Sequence, residues 1–157
     1  MMRELRTVPD KILRTPCKPV KDIDDEVKSV AEDLIDYMLA HREDEIAPVS
    51  MAAPQLGEPI RVIAFYLNPS YRERDGTAVL INPELTKVSK FAIFRESCLS
   101  VPGKEFYARR AKRVKVKGLS LDGKSKSYKA GDLLAQVLQH EIDHLDGILV
   151  DEAGRKP

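Results

Sequence analysis

Two histidines four residues apart, His140 and His144, bracket Glu141 in the run Gln139-His140-Glu141-Ile142-Asp143-His144. On an α-helix this spacing sets both side chains on one face, a turn apart, so both imidazoles can reach a single divalent cation. A glutamate beside them can take a proton from water that the cation activates, which is the chemistry of amide hydrolysis. The plainer alternative is a solvated helix with incidental histidines. Against it, the chain has only three histidines, and Leu133, Val137, His140 and His144 form one stripe at spacings of four, three and four. A second stripe, Leu134, Leu138, Ile142 and Leu145, can make the core contact. The histidine stripe is then left to build a pocket wall with apolar residues beside the ligands.

A catalytic cation usually has three protein ligands and one open position. Metalloproteases with this helix pattern often draw the third ligand from downstream, but here Val150 stands where a further histidine would fall, and the remaining acids, Asp146, Asp151 and Glu152, sit at a helix end or in a tail. The third ligand is therefore expected upstream. Cys98, in Glu96-Ser97-Cys98-Leu99-Ser100, is the leading candidate, because thiolate binds zinc and ferrous iron strongly. Cys17, between Pro16 and Lys18-Pro19, reads instead as a small buried hydrophobe. His41 reads as a residue favoured at the C-terminus of its helix.

The elements that must position these residues follow from periodicity. Residues Asp24 to Leu39 carry Val27, Val30, Ala31, Leu34, Ile35, Met38 and Leu39 on one helical face, with Asp22 or Asp24 as cap. Strands are expected over Arg61–Leu67, over Ala78–Ile81 with a stop at Asn82-Pro83, over Lys87–Phe94, and over Arg113–Leu121 with a hairpin turn at Asp122-Gly123. A last helix is expected from Gly131 to Asp146, ended by Gly147 in a left-handed conformation. This order predicts an α+β fold, with antiparallel β-sheets packed around a C-terminal metal-binding helix and an N-terminal helix.

Composition sets the wider bounds. A chain of 157 residues, 43% hydrophobic and 32% charged, is expected to form a single catalytic domain over 1–157. A net charge of +1 gives no strong field for nucleic acid as the main partner. Lys112, Arg113, Lys115 and Lys117 form a local basic run whose alternation reads as a solvated strand face, with a ribosome-facing patch as the other reading. No apolar run is long enough to cross a bilayer, and the first five residues lack the apolar stretch of a secretory signal. A cytoplasmic location, with both cysteines reduced, is the expectation.

Three segments taken together resemble the peptide deformylase family, whose motifs are GxGxAAPQ, EGCLS and QHExDH. They are Pro48-Val49-Ser50-Met51-Ala52-Ala53-Pro54-Gln55, Glu96-Ser97-Cys98-Leu99-Ser100 and Gln139-His140-Glu141-Ile142-Asp143-His144, in matching order and separation. Similarity extends to Pro9-Asp10, Ile81-Asn82-Pro83 and His144 to Leu149, and so over nearly the whole chain. The resemblance implies a hydrolase that removes the N-formyl group from N-formylmethionyl nascent peptides and releases formate. It implies that Cys98, His140 and His144 hold one divalent metal ion, with Fe2+ the expected ion and Zn2+, Ni2+ or Co2+ able to take its place. Glu141 would move the proton, and the Gln55 side chain and the Leu99 backbone N–H would stabilise the oxyanion. The methionine slot would draw on Val49, Ser50, Phe94, Leu133 and Val137, for which core packing is the competing role. Glu96 would support the site, paired with Arg110, while Asp143 either supports it too or pairs on the surface. The implied partner is the nascent chain, at the ribosome, without nucleic-acid specificity or membrane, in a monomer or weak dimer.

The sequence departs from the family pattern at three places. Pro48 and Ser50 replace both glycines of the first motif, and Ser97 replaces the glycine before Cys98. Glycine allows backbone shapes and close approaches that other residues resist, so these changes bear on substrate binding, while the ligands and Glu141 are kept. A metallopeptidase or amidase acting on another acyl substrate, a silent homologue that binds peptide N-termini, and a structural metal site, which would normally have four protein ligands, are the rival readings.

Overall fold

The computed structural model describes residues 3–150. The first helix, α1, spans Asp25–Ala40; Asp24 caps it, its side chain accepting a hydrogen bond from the Val27 N–H at 3.0 Å. The expected apolar face is the buried one: Val27, Val30, Ala31, Leu34, Ile35 and Met38 all point inward, while Leu39 at the helix end is only half-buried against them. His41 is the C-cap, and its ring nitrogen lies 2.7 Å from Asp44.

Five strands follow as one antiparallel meander: β1 (Ser50–Ala52), β2 (Val62–Tyr66), β3 (Thr77–Cys98), β4 (Val101–Leu119) and β5 (Ser125–Gly131). All neighbours pair antiparallel, Ser50 opposite Phe65, Ile63 opposite Leu80, Val88 opposite Val114 and Val116 opposite Tyr128. The last helix, α2, is Asp132–Leu145.

The sheet separates two cores. On one side Val62, Ala64, Tyr66, Val79 and Ile81 meet the buried face of α1. On the other, Ile63, Phe65, Leu80, Val114 and Val116 meet Ala135, Leu138, Ile142 and Leu145 of α2. Strand β2 is therefore buried on both faces, which explains why Arg61–Leu67 reads as a continuous apolar run rather than an alternating one. In β4, Val114 and Val116 turn inward while Arg113 and Lys117 are exposed, the solvated basic face expected from the alternation.

The strand expectations need correction. Strand β3 does not stop at Asn82-Pro83; it continues to Cys98. Straight, its 22 residues would span about 70 Å, far too long for a domain of radius of gyration about 15 Å. The strand bends instead, with register shifts between Ile81 and Glu84, Leu85 and Lys87, and Glu96 and Cys98. Asn82 takes the left-handed φ of 53° that a bulge needs, and its amide pairs with both backbone groups of Val20, at 2.8 and 2.9 Å. Strand β4 likewise begins at Val101, twelve residues before the expected start at Arg113, and β1 and β5 have no counterpart among the expected strands: Ser50–Ala52 is too short to show a period, and Ser125–Gly131 is too polar to look half-buried.

Among the described residues, no helix is long and apolar enough to cross a membrane.

Candidate metal centre and catalytic pocket

Side-chain amides moor α2 to the sheet. The Gln139 amide forms a two-way bond with the Ala111 backbone of β4, accepting from its N–H at 2.9 Å and donating to its carbonyl at 2.8 Å. One turn earlier, the Gln136 amide donates to the Arg95 carbonyl of β3 at 2.9 Å. At the far end, the Leu145 carbonyl accepts from the Cys17 N–H at 2.8 Å and from the Arg61 guanidinium at 3.1 Å, so an end that leaves carbonyls unpaired is satisfied. Gly147 then closes the helix at φ 75°: its N–H bonds the His144 carbonyl at 3.1 Å and the Ile148 N–H bonds the Asp143 carbonyl at 2.9 Å.

This mooring brings His140 and His144 against Cys98, the last residue of β3, where the chain reverses into β4 with Cys98 opposite Val101. Ligand atoms of Cys98, His140 and His144 all lie within 4.8 Å of one another. The Cys98 Sγ is 3.3 Å from Nε2 of His144, and the two imidazole rings meet edge to face with centroids 4.8 Å apart. Cys98 and His144 are buried, and the His140 side chain is 11% exposed.

Behind His140 stands a buried ion pair. Glu96 Oε1 lies 3.3 Å from His140 Nδ1 and fixes which ring nitrogen faces the thiol. Arg110 donates to both Glu96 oxygens, at 2.7 and 2.8 Å, and reaches Asp143 at 2.5 Å. Burial would push the Glu96 carboxyl up, but the hydrogen bonds from Arg110 and His140 outweigh it and hold the group at about 2. Asp143 thus belongs to the network that orients the site, the first of the two roles open to it in the sequence.

Glu141 is buried, and its Oε2 accepts a hydrogen bond from the Ser50 hydroxyl, while its Oε1 has no partner among the described residues. Burial raises its pKa, against the lowering effects of the His140 charge and the Ser50 bond. The Gln55 amide is held at its oxygen by the Ala52 N–H at 3.0 Å, so its nitrogen points at Ser100 Oγ, 3.3 Å away, and Cys98 Sγ, 3.9 Å away. Gln55 sits in a short 3-10 turn, Ala53–Leu56, with Pro54 in its first positions and the left-handed Gly57 closing it.

These groups share one cavity of about 210 Å³, lined by Val49, Ser50, Gln55, Cys98, Leu99, Leu133, Val137, His140 and Glu141. It is smaller than the ~300–1,000 Å³ of drug-sized ligand sites, a size suited to one side chain and a reacting group. Phe94 is the exception to the expected lining: it lies outside the cavity, on β3 opposite Ala108, four residues and so about 13 Å of extended chain before Cys98. Ile46, Ala47, Pro48, Arg95, Ser97 and Gln136 line the cavity without having been singled out as lining residues. For Gln136 and Gln139 the signal was there, as uncharged polar residues at buried positions of an apolar helix face.

The donor set suits a divalent cation. A sulfur and two imidazole nitrogens converge, the ligand count of a catalytic zinc or iron site with one position open. Burial should depress His140, yet Glu141, Cys98 and Glu96 reverse that and raise its pKa well above the ordinary value. His144, under burial and the His140 charge, is driven the other way, and its buried Nδ1 has no partner among the described residues.

The polypeptide deformylase family model matches residues 2–156 of this chain. The chain belongs to the polypeptide deformylase family. It is 45% identical over 150 residues to the peptide deformylase of Dictyoglomus thermophilum, covering 96% of this chain and 91% of that one. Its fold superposes with a TM-score of 0.86 on the crystal structure of a peptide deformylase from Legionella pneumophila, at 35% identity, with 98% of this chain and 86% of that one covered. A class I type b peptide deformylase from Acinetobacter baumannii gives 0.83 at 30% identity, with 98% of each chain covered. The α+β fold with its C-terminal helix is that of the deformylases, and the chain is a hydrolase of that family.

Proposed function

We infer that this chain, acting as one catalytic domain over 1–157, removes the formyl group from N-formylmethionyl peptides and releases formate. The observation that carries this reading is the convergence of Cys98, His140 and His144, two of which, Cys98 and His140, line a small cavity together with Glu141 and Gln55 while His144 is buried behind them. The Acinetobacter baumannii enzyme holds bound Met-Ala-Ser, the kind of product such a site would release. The nascent chain at the ribosome is the proposed source of substrate, in the cytoplasm, with the enzyme a monomer or weak dimer. Fe2+ is the proposed ion, with Zn2+, Ni2+ or Co2+ as substitutes.

Cys98, His140 and His144 would hold that ion, which supplies Lewis acidity to activate water and polarise the formyl oxygen. Glu141, with Oε2 tied to Ser50 and Oε1 free of partners among the described residues, takes the water proton on Oε1 and delivers it to the leaving amine. The carbonyl oxygen gains charge as water attacks. The Gln55 amide, already aimed at Cys98, donates to it, and the Leu99 N–H is the second proposed donor. Val49, Leu133 and Val137 give the methionine side chain an apolar wall. Glu96 and Arg110 keep His140 in its tautomer.

The deciding experiment prepares the protein anaerobically, measures bound metal, and assays formate release from formyl-Met-Ala-Ser on the same sample. Formate appearing in proportion to bound metal is the expected result. Peptide-bond cleavage without formate would transfer the site to the peptidases, and peptide binding without turnover would leave a silent homologue.

A further inference from the structure

The hydroxyl of Ser50 has a task that the glycine of the family motif could not perform at that position. Ser50 opens β1 and is fixed there by pairing with Phe65 of β2. It is 8% exposed and donates its hydroxyl to Oε2 of Glu141, itself 3% exposed on α2. A carboxylate at the end of a glutamate turns about a broad, two-fold torsion, so packing of the chain leaves its plane loosely set. A charge-assisted bond to one oxygen removes that freedom. The other oxygen, Oε1, is buried and has no partner among the described residues. One oxygen is tied to the sheet and the other is left for the reaction.

We propose that Ser50 is a positioning residue for Glu141, locking the carboxylate plane so that Oε1 faces the attacking water, a device this chain carries in place of the motif glycine. The proposal rests on the deformylase reading of the same site. It makes the serine a compensated substitution: backbone freedom is given up in the loop that follows Pro48, and a fixed base is gained.

The test compares Ser50→Ala, Ser50→Gly and Ser50→Thr in the metal-loaded enzyme. Ser50→Ala should lower kcat about tenfold to a hundredfold, the size of one hydrogen bond to a charged group. KM, bound metal and melting temperature should hardly change. Ser50→Thr, which keeps a hydroxyl on the strand, should recover most of the rate. Ser50→Gly should lose as much as Ser50→Ala; a glycine variant that regains the rate would assign the effect to backbone freedom and overturn the proposal. In a Glu141→Gln background, Ser50→Ala should cost nothing more, since the group it positions is gone; a full further loss there would also overturn it. Crystal structures of wild type and Ser50→Ala give a readout independent of turnover. A rotated or split Glu141 carboxylate in the variant supports the proposal, and an unmoved one sinks it. If the wild type releases no formate, the activity reading fails alone, and this structural comparison still decides the role of Ser50.

Discussion

Arg110 grips Glu96 through two parallel hydrogen bonds of 2.7 and 2.8 Å, both partners almost wholly buried, and it is Glu96 that faces the outer nitrogen of His140. The pair ties β3 and β4 together beside the thiol and passes that rigidity to an imidazole. Its two halves should separate on mutation. Arg110→Met leaves a buried carboxylate unpaired and should cost about 3–5 kcal/mol of stability. Glu96→Gln avoids the unpaired charge but frees the ring, and should weaken metal binding about 10–100-fold. Urea unfolding measures the first and a competitive metal titration the second. Equal metal affinity in wild type and Glu96→Gln would show that the ring is held by packing alone.

Removing a ligand should act differently from removing the base. Cys98→Ala takes away the sulfur, and the remaining histidine pair should lose bound metal and activity together. Elemental analysis after gel filtration would show it; full metal content in Cys98→Ala would exclude that residue from the ligand set. Glu141→Gln keeps shape and a hydrogen-bond acceptor but removes the base. It should retain metal while formate release falls by about two to four orders of magnitude, the usual weight of general acid–base catalysis. A Glu141→Gln enzyme of near-normal rate would remove the glutamate from the chemistry.

Cys17 supplies a test outside the site. It is 7% exposed in the core beneath Leu145, and burial pushes its thiol up to about 11 from an ordinary 9.0. Between those values the unfolded chain has lost the proton and the folded one has kept it. The unfolded state binds fewer protons there, so stability must fall as pH rises from 9 to 11. Cys17→Ala should lack this part of the alkaline decline, and native Cys17 should resist alkylation at neutral pH. Denaturant midpoints of both proteins across that range give the comparison; identical slopes would mean the thiol is ionised or solvated in the fold.

Much of the site was legible because catalysis fixes residue types at helical spacing. His140, Glu141 and His144 stand out by a four-residue period, and Cys98, the candidate the sequence prefers over Cys17, is the cysteine whose sulfur the fold brings within 4.8 Å of both histidines' ligand atoms. The failures have physical causes. Phe94 is expected at the pocket wall from its nearness to Cys98 in sequence, but four residues of extended strand span about 13 Å, and the side chain stands on β3 opposite Ala108, outside the cavity. The stop expected at Asn82-Pro83 assumed that proline ends a strand, whereas Asn82 at positive φ lets β3 bend and continue. The Ser50–Glu141 bond joins residues 91 positions apart, and no local pattern encodes it.

Gly147 carries the last prediction, because it closes α2, the helix of the proposed metal ligands, at its second histidine. Its φ of 75° suits glycine, and a Cβ there would stand 2.7 Å from the Arg14 carbonyl oxygen and 3.0 Å from the Thr15 carbonyl carbon. Both are backbone atoms, so neither can swing aside. Gly147→Ala should therefore pay for the left-handed conformation, about 1–2 kcal/mol, and for the clash as well. A total of about 2 kcal/mol or more corresponds to a melting temperature roughly 5 °C lower in a chain of this size. Gly123, at φ 83° with nothing within 4 Å, isolates the conformational part. Gly123→Ala should be clearly the milder change. Because the Gly147 N–H bonds the His144 carbonyl, Gly147→Ala should also weaken metal binding, while Gly123→Ala should leave it alone. Equal melting losses in the two variants would mean that the chain around Arg14 yields freely and does not brace the helix end.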